Sequence, residues 1–369
     1  MKKLLILILL SSCVDPFNFS SQNQEKKILV VDGFITNEKG EFTITLTRSA
    51  NFYTPKNGYS GIIKEQGFIK PESKAIIKII DDTGRSQQFL ETKENSGIYK
   101  IPSSENWEGE IEKKYYIHIK TENGEEYEST PEVLKASLPI DSIYTIYESK
   151  ELLDENNNIT TVDGFQYYAD INLGENDNYY AFGSTQTYMI ETPIHRVPLL
   201  LPPYPKFCYV TQKGNDNYNF LVSNIEFNTQ KIIKHPLDFV VPKFEYNIKH
   251  SYNLLQYSMS KEAFHFYSSI RKQLKVKGSI LDETPLKIIG NISNVHDKNE
   301  IVLGYFAVFG VTTKRLFVSK DELPVNFKKG QLSECFVACP PPRDNCLDTY
   351  CFDCSKYPGS ATQKPSFWE

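Results

Sequence analysis

From Glu41 to Arg48 the chain alternates without a break. Phe42, Ile44 and Leu46 fall on one side, Thr43, Thr45 and Thr47 on the other. A strand can bury one set and solvate the other; a helix cannot, because its faces repeat every 3.6 residues and not every two. The same pattern returns at Tyr115, Ile117 and Ile119 against Tyr116, His118 and Lys120. Asn123-Gly124 then makes a strong hairpin turn, and Glu125 to Ser129 runs back. Lys27 to Ile35 reads as a buried first strand and Ala75 to Ile80 as a third, with short strands at Gln88 to Glu91 and Gly97 to Ile101. Six or seven short strands within residues 27–138 predict a β-sandwich of immunoglobulin-like or transthyretin-like type. The 23 Tyr and 23 Phe agree, since aromatic residues favour strands.

A linker from Thr130 to Pro139 leads to a second β-rich domain, residues 140–334. Phe165 to Ile171 and Tyr179 to Thr187 read as strands joined by a polar turn, with further strands at Leu237 to Val241 and His250 to Ser258. Then the period changes. Ala263, Phe266, Tyr267, Ile270 and Leu274 share one helical face, with Ser260 as N-cap, which predicts one amphipathic helix over about 260–275. Ile301 to Phe309 and Val311 to Ser319 read as a pair of core strands. Between the strands lies Thr192 to Pro205, whose five prolines forbid a central strand or helix. Leu199, Leu200, Leu201 and Tyr204 make it apolar for a loop, so it is either a cover for the second domain or a candidate contact surface.

The N-terminus addresses location. Lys2 and Lys3 precede the apolar run Leu4 to Leu10, followed by Ser11, Ser12 and Cys13. That run is far too short to span a bilayer, which takes about 20 apolar residues, but it fits the apolar region of a signal peptide. The order of charge, run, small residues and cysteine predicts a lipoprotein signal in residues 1–12, with cleavage before Cys13 and lipid on Cys13. More than one acyl chain there would anchor the protein stably to a membrane. Residues 13–26 then read as a tether. No later run is long enough to cross a membrane, and a net charge of −5 gives no support to nucleic-acid binding.

Six cysteines remain after Cys13: Cys208 alone, and Cys335, Cys339, Cys346, Cys351 and Cys354 in the cysteine-rich tail, residues 335–369. In an exported chain an even set reads as disulfides. Five in one cluster leave an odd one, and Cys208 is the partner outside it, so a bridge from Cys208 should staple the tail to the second domain. Cys335-x3-Cys339 and Cys351-x2-Cys354 also have zinc-ligand spacing, which is the rival reading.

Catalytic signatures are not evident. The six histidines are scattered, and there is no Gly-x-Ser-x-Gly elbow or phosphate loop. The expectation is a protein that is not an enzyme and holds no cofactor or metal, although a site assembled from distant residues stays open.

Taken together, several stretches resemble a family of Bacteroidota lipoproteins catalogued as domain of unknown function 4249. They are the N-terminal signal with Cys13, Leu29 to Ile35, Tyr252 to Phe266, Pro285 to Asn294, Leu303 to Phe306, and Cys351 to Cys354 with Lys364 to Trp368. Tyr357-Pro358-Gly359 departs from the family, which often shows a glycine pair there. The resemblance implies an outer-membrane lipoprotein encoded beside a TonB-dependent receptor, a β-barrel that it would serve as accessory partner in substrate capture or uptake. It carries over no catalytic residue and no ligand. The alternatives are an envelope or adhesin-like spacer, and a hydrolase with a non-local site.

Overall fold

The computed structural model describes residues 27–49, 70–154, 157–176, 178–192, 204–214, 221–274, 288–324, 349–351 and 353–368. The chain is mainly β. Its first body holds β1 (Leu29–Thr36), β2 (Phe42–Arg48), β3 (Lys70–Pro71), β4 (Ile76–Asp81), β5 (Ser86–Glu91), β6 (Ile98–Ile101), β7 (Lys114–Lys120), β8 (Glu126–Ser129) and β9 (Glu132–Val133). The alternation in β2 is realised as burial: Phe42, Ile44 and Leu46 are in the core and the threonines are half-buried. β5 pairs with β4 along its first part and with β6 at Leu90 and Glu91, so one strand serves both layers. Val31, Ile44 and Tyr99 from one layer meet Ile77, Ile117 and Tyr127 from the other, with Trp107 packed beside Phe42 and Tyr115.

The rest of the chain holds β10 (Ile140–Leu153), β11 (Ile159–Asn172), β12 (Tyr179–Glu191), β13 (Phe207–Lys213), β14 (Leu221–Ser223), the single turn α1 (Asn224–Phe227), β15 (Lys231–Val240), β16 (Lys249–Met259), α2 (Lys261–Leu274), β17 (Ile292–Asn294), β18 (Leu303–Ser319) and β19 (Ser360–Ala361). β10, β11 and β15 form a three-stranded sheet; β18, β16, β12, β13 and β19 continue the large one. The two sheets close on Tyr167, Ile171, Phe182, Tyr252 and Leu254. The opposite face of the large sheet is covered by α2, whose Phe264, Phe266 and Tyr267 pack on Tyr179, Tyr305 and Phe309. Ser260 caps the helix as its residue type suggests, accepting the amide of Ala263 at 3.1 Å. Leu274 belongs to the apolar stripe but, as the last helical residue, it is exposed.

The strands read at 165–171 and 179–187 are present as β11 and β12, which lie in different sheets. One expectation is corrected. The stretch read as two core strands, 301–309 and 311–319, is one 17-residue strand, β18. Gly310 is not a turn. A Cβ there would meet the carbonyl oxygen of Lys135 at 1.8 Å, so glycine makes room for the linker crossing the strand. The first part of β18 pairs in parallel with β1, from Val30 opposite Leu303 to Thr36 opposite Phe309. Its later part pairs antiparallel with β16. β17 adds to β8 at Ser129 to Tyr127. Residues far down the chain therefore complete the first sandwich, and a single strand carries both bodies.

Candidate functional site

The proline- and leucine-rich loop stands on a hairpin. β12 and β13 run antiparallel to Glu191 opposite Phe207, and just beyond them the Thr192 amide donates to the Lys206 carbonyl at 2.9 Å. Leu199, Leu200 and Leu201 lie outside the described residues, whereas Tyr204 at the loop's foot is half-buried. The foot is clamped by the tail. Cys208 on β13 is bonded to Cys354 with 5.7 Å between their Cα atoms, and the Cys354 amide donates to the Pro205 carbonyl at 3.2 Å. β19 adds to the edge of β13 at Tyr209 and Val210. Trp368 is buried edge-on against Tyr209 and Phe317, with ring centroids 5.1 and 5.5 Å away, and the Arg315 guanidinium lies 3.5 Å over Phe367. The β12–β13 pairing thus holds the two ends of the loop together, and the covalent bridge and the edge-on aromatic end fix its β13 side.

The sequence-level staple from Cys208 to the tail is present, with Cys354 as the partner. Cys351 is disulfide-bonded too. Both sulfurs of Cys351-x2-Cys354 are therefore committed to disulfides, not available as zinc thiolates. Cys13, Cys335, Cys339 and Cys346 lie outside the described residues. Among the described residues, no group of three or more His, Cys, Asp or Glu side chains is placed to hold a metal ion. No helix among them is long and apolar enough to cross a membrane.

A second constellation, not signalled by any motif, lies between the two sheets of the second body. The Asp238 carboxylate accepts the Tyr252 hydroxyl at 2.6 Å and the Ser184 hydroxyl at 2.8 Å. The Tyr252 ring stacks on Tyr167 at 4.1 Å, and the Tyr167 and Tyr246 hydroxyls bond at 3.0 Å. Tyr246 stacks in turn on His250, whose Nε2 meets Gln186 Oε1 at 3.1 Å. Burial pushes His250 down to about 3, so its ring is neutral at pH 7. Burial, and then the charge of Asp238, push the Tyr252 phenol well above its ordinary value. Nucleophilic catalysis needs a serine hydroxyl held by a base that a third group orients. Here Ser184 donates to a carboxylate inside the sandwich, and the histidine is bonded elsewhere. The arrangement joins β12, β15, β11 and β16 through polar contacts, with His250 Nδ1 buried and without a hydrogen-bond partner.

Four described stretches that carry the family resemblance, Leu29 to Ile35, Tyr252 to Phe266, Asn291 to Asn294 and Leu303 to Phe306, meet in space around β18. Asn291 spans from Phe306, exchanging two side-chain hydrogen bonds of 2.8 and 2.9 Å with its backbone, to Thr130, whose amide donates to the Asn291 carbonyl at 2.8 Å. Gly304, at φ +95°, sits where a Cβ would be 1.8 Å from the Val31 carbonyl oxygen. Tyr305 donates to the buried Glu132 carboxylate and stacks near Phe266 at 4.9 Å. These residues build the seam of the fold; ligand chemistry is not what they share.

Two sandwiches fused through one strand, with a disulfide-stapled tail, define the class: a mainly β two-sandwich scaffold. The family model described as domain of unknown function (DUF4249) matches residues 14–315, and the chain belongs to that family. No curated protein matches it. One solved structure, "Biofilm associated protein - B domain", is similar at 9% identity, covering 80% of this chain and 87% of that one with a TM-score of 0.14.

Proposed function

We propose that this protein is a lipid-anchored accessory and binding protein of the outer membrane, partner to a TonB-dependent β-barrel receptor in substrate capture or uptake, and that it works by binding without catalysis. The observation that carries the reading is the apolar loop on its clamped foot. Lys2, Lys3, Leu4 to Leu10 and Cys13 support the lipid anchor, and disulfides at Cys208, Cys351 and Cys354 agree with an oxidising compartment. A loop held at both ends loses less freedom when a partner takes it, which favours affinity.

The test is gentle detergent extraction from native membranes, capture of this protein, and mass spectrometry of what accompanies it. A stoichiometric β-barrel receptor supports the proposal. A lone lipoprotein overturns it and favours an envelope spacer. Deleting Leu199 to Pro203 should then weaken receptor capture while leaving the melting transition in place. Loss of secretion or of the transition would show instead that the loop covers the core.

A further inference from the structure

Among the described residues, the far end of the β10–β11 hairpin is a ribbon with no third strand. β11 is joined by β15 only between Phe165 and Asn172, whereas β10 and β11 remain paired out to Leu153 opposite Ile159. Beyond Glu148 and Gly164 the hairpin therefore projects from the sandwich as two strands. Its tip exposes Leu152, Leu153 and Ile159 at 41, 67 and 71%. A two-stranded ribbon in water is marginal by itself, and a long open edge is a template for another strand. β10 is the end strand of its sheet, and from Ser142 onward it pairs with β11 without a break, with no proline to blunt it.

We propose that β10 pairs antiparallel with β10 of a second copy of this chain, about a two-fold axis through Ser149. The side-chain order selects both partner and register. Ile143 and Tyr147 turn toward the core of the second body, so Ile146, Glu148, Lys150 and Leu152 share the opposite face. An axis through Ser149 and normal to the sheet keeps that face common to both copies. It sets Glu148 opposite Lys150 of the second copy and Ile146 opposite Leu152 of the second copy, each twice by symmetry. An axis at Glu148 or at Lys150 would bring like charges face to face, and one at Tyr147 would set Ile146 against Glu148. Of these positions, Ser149 is the one that matches charge with charge and apolar with apolar. Opposed pairs across a strand boundary are what stabilises one register over its neighbours. The pairing makes a six-stranded sheet across two molecules and gives each projecting ribbon its third strand.

The test is sedimentation velocity of the full chain in detergent over a range of concentrations. The set is wild type, Glu148→Lys, Lys150→Glu, and the double exchange E148K/K150E. Wild type should show a reversible monomer–dimer equilibrium. Each single substitution opposes like charges at both symmetric pairs and should raise the dimer Kd by about tenfold or more. The double exchange restores opposite charges and should return Kd to near wild type. Lys150 also contacts Gln166 and lies 4.9 Å over the Phe239 ring, and Glu148 accepts from Tyr168 at 3.4 Å, so each variant's melting temperature is measured alongside. A second variant, Ser149→Cys, places a thiol next to its own copy and should form a covalent dimer on mild oxidation. Wild type that stays monomeric at every concentration overturns the proposal. So does a dimer whose Kd ignores the single substitutions, or a well-folded double exchange that fails to recover it.

Discussion

Replacing Cys208 and Cys354 together by alanine removes the staple at the foot of the loop without leaving a free thiol from that pair. The bridge spans 146 residues of sequence. In the chain-entropy treatment, closing a loop of that length costs the unfolded state about 17 cal/mol/K, or about 5 kcal/mol at 25 °C. The bridge at Cys351 already restrains the same tail, so the loss should fall at about 2–5 kcal/mol. With a urea slope of about 3 kcal/mol per molar, the midpoint should fall by about 1 M. The two tryptophans separate the two bodies. Trp107 lies in the core of the first sandwich and Trp368 against Tyr209 and Phe317 in the second. Fluorescence in a Trp107→Phe background therefore follows the tail, and in a Trp368→Phe background it follows the first sandwich. The tail's transition should move to lower urea by the amount above, and Trp107's should move less. If the Trp368 midpoint stays where it was, the bridge does not restrain the unfolded chain and the reasoning is refuted.

Three further outcomes follow from particular contacts. Gly304→Ala puts a Cβ 1.8 Å from the Val31 carbonyl at a positive φ, and should destabilise by about 3 kcal/mol or more; an unchanged melting temperature would contradict it. His250 is held neutral by burial, its value lowered from 6.5 to about 3, so below pH 6.5 the unfolded chain binds a proton that the folded chain does not. The stability that depends on its neutral state is therefore full above pH 6.5 and falls as pH drops toward 3. At pH 5 the loss should be about 2 kcal/mol, and His250→Gln should flatten that part of the stability profile, measured by urea unfolding at each pH. Tyr252→Phe takes one donor from the buried Asp238 and should cost about 1–3 kcal/mol, read by chemical denaturation of the second body; a neutral result would mean that the carboxylate finds another donor.

What could be read locally was decided locally. The alternation in Phe42 to Thr47 specified a half-buried strand, because side-chain direction along a strand depends only on position. The stripe through Ala263 and Phe266 with Ser260 before it specified a capped helix, because a helix closes its hydrogen bonds within a few residues. The odd cysteine at 208 pointed to the tail by parity, although parity alone did not choose Cys354. Strand partners could not be read in the same way. β18 looked like two strands because Gly310 reads as an interruption, and only the linker crossing at Lys135 explains it. Its parallel pairing with β1 joins positions more than 250 residues apart, Val30 with Leu303, which no local pattern encodes. β10 gave little signal because in its outer half Ser149, Glu151, Leu152 and Leu153 are exposed and Glu148 and Lys150 only half-buried, leaving no buried set to alternate with a solvated one. The Asp238 cluster was invisible for a related reason: Ser184, Asp238 and Tyr252 come from three strands, and each is ordinary in its own neighbourhood. The sequence by itself determined which segments become strands and helix, and the odd-cysteine bridge to the tail. Tertiary structure decided which edges meet and which polar groups share a core, because those choices depend on contacts between distant segments and on the desolvation they enforce together.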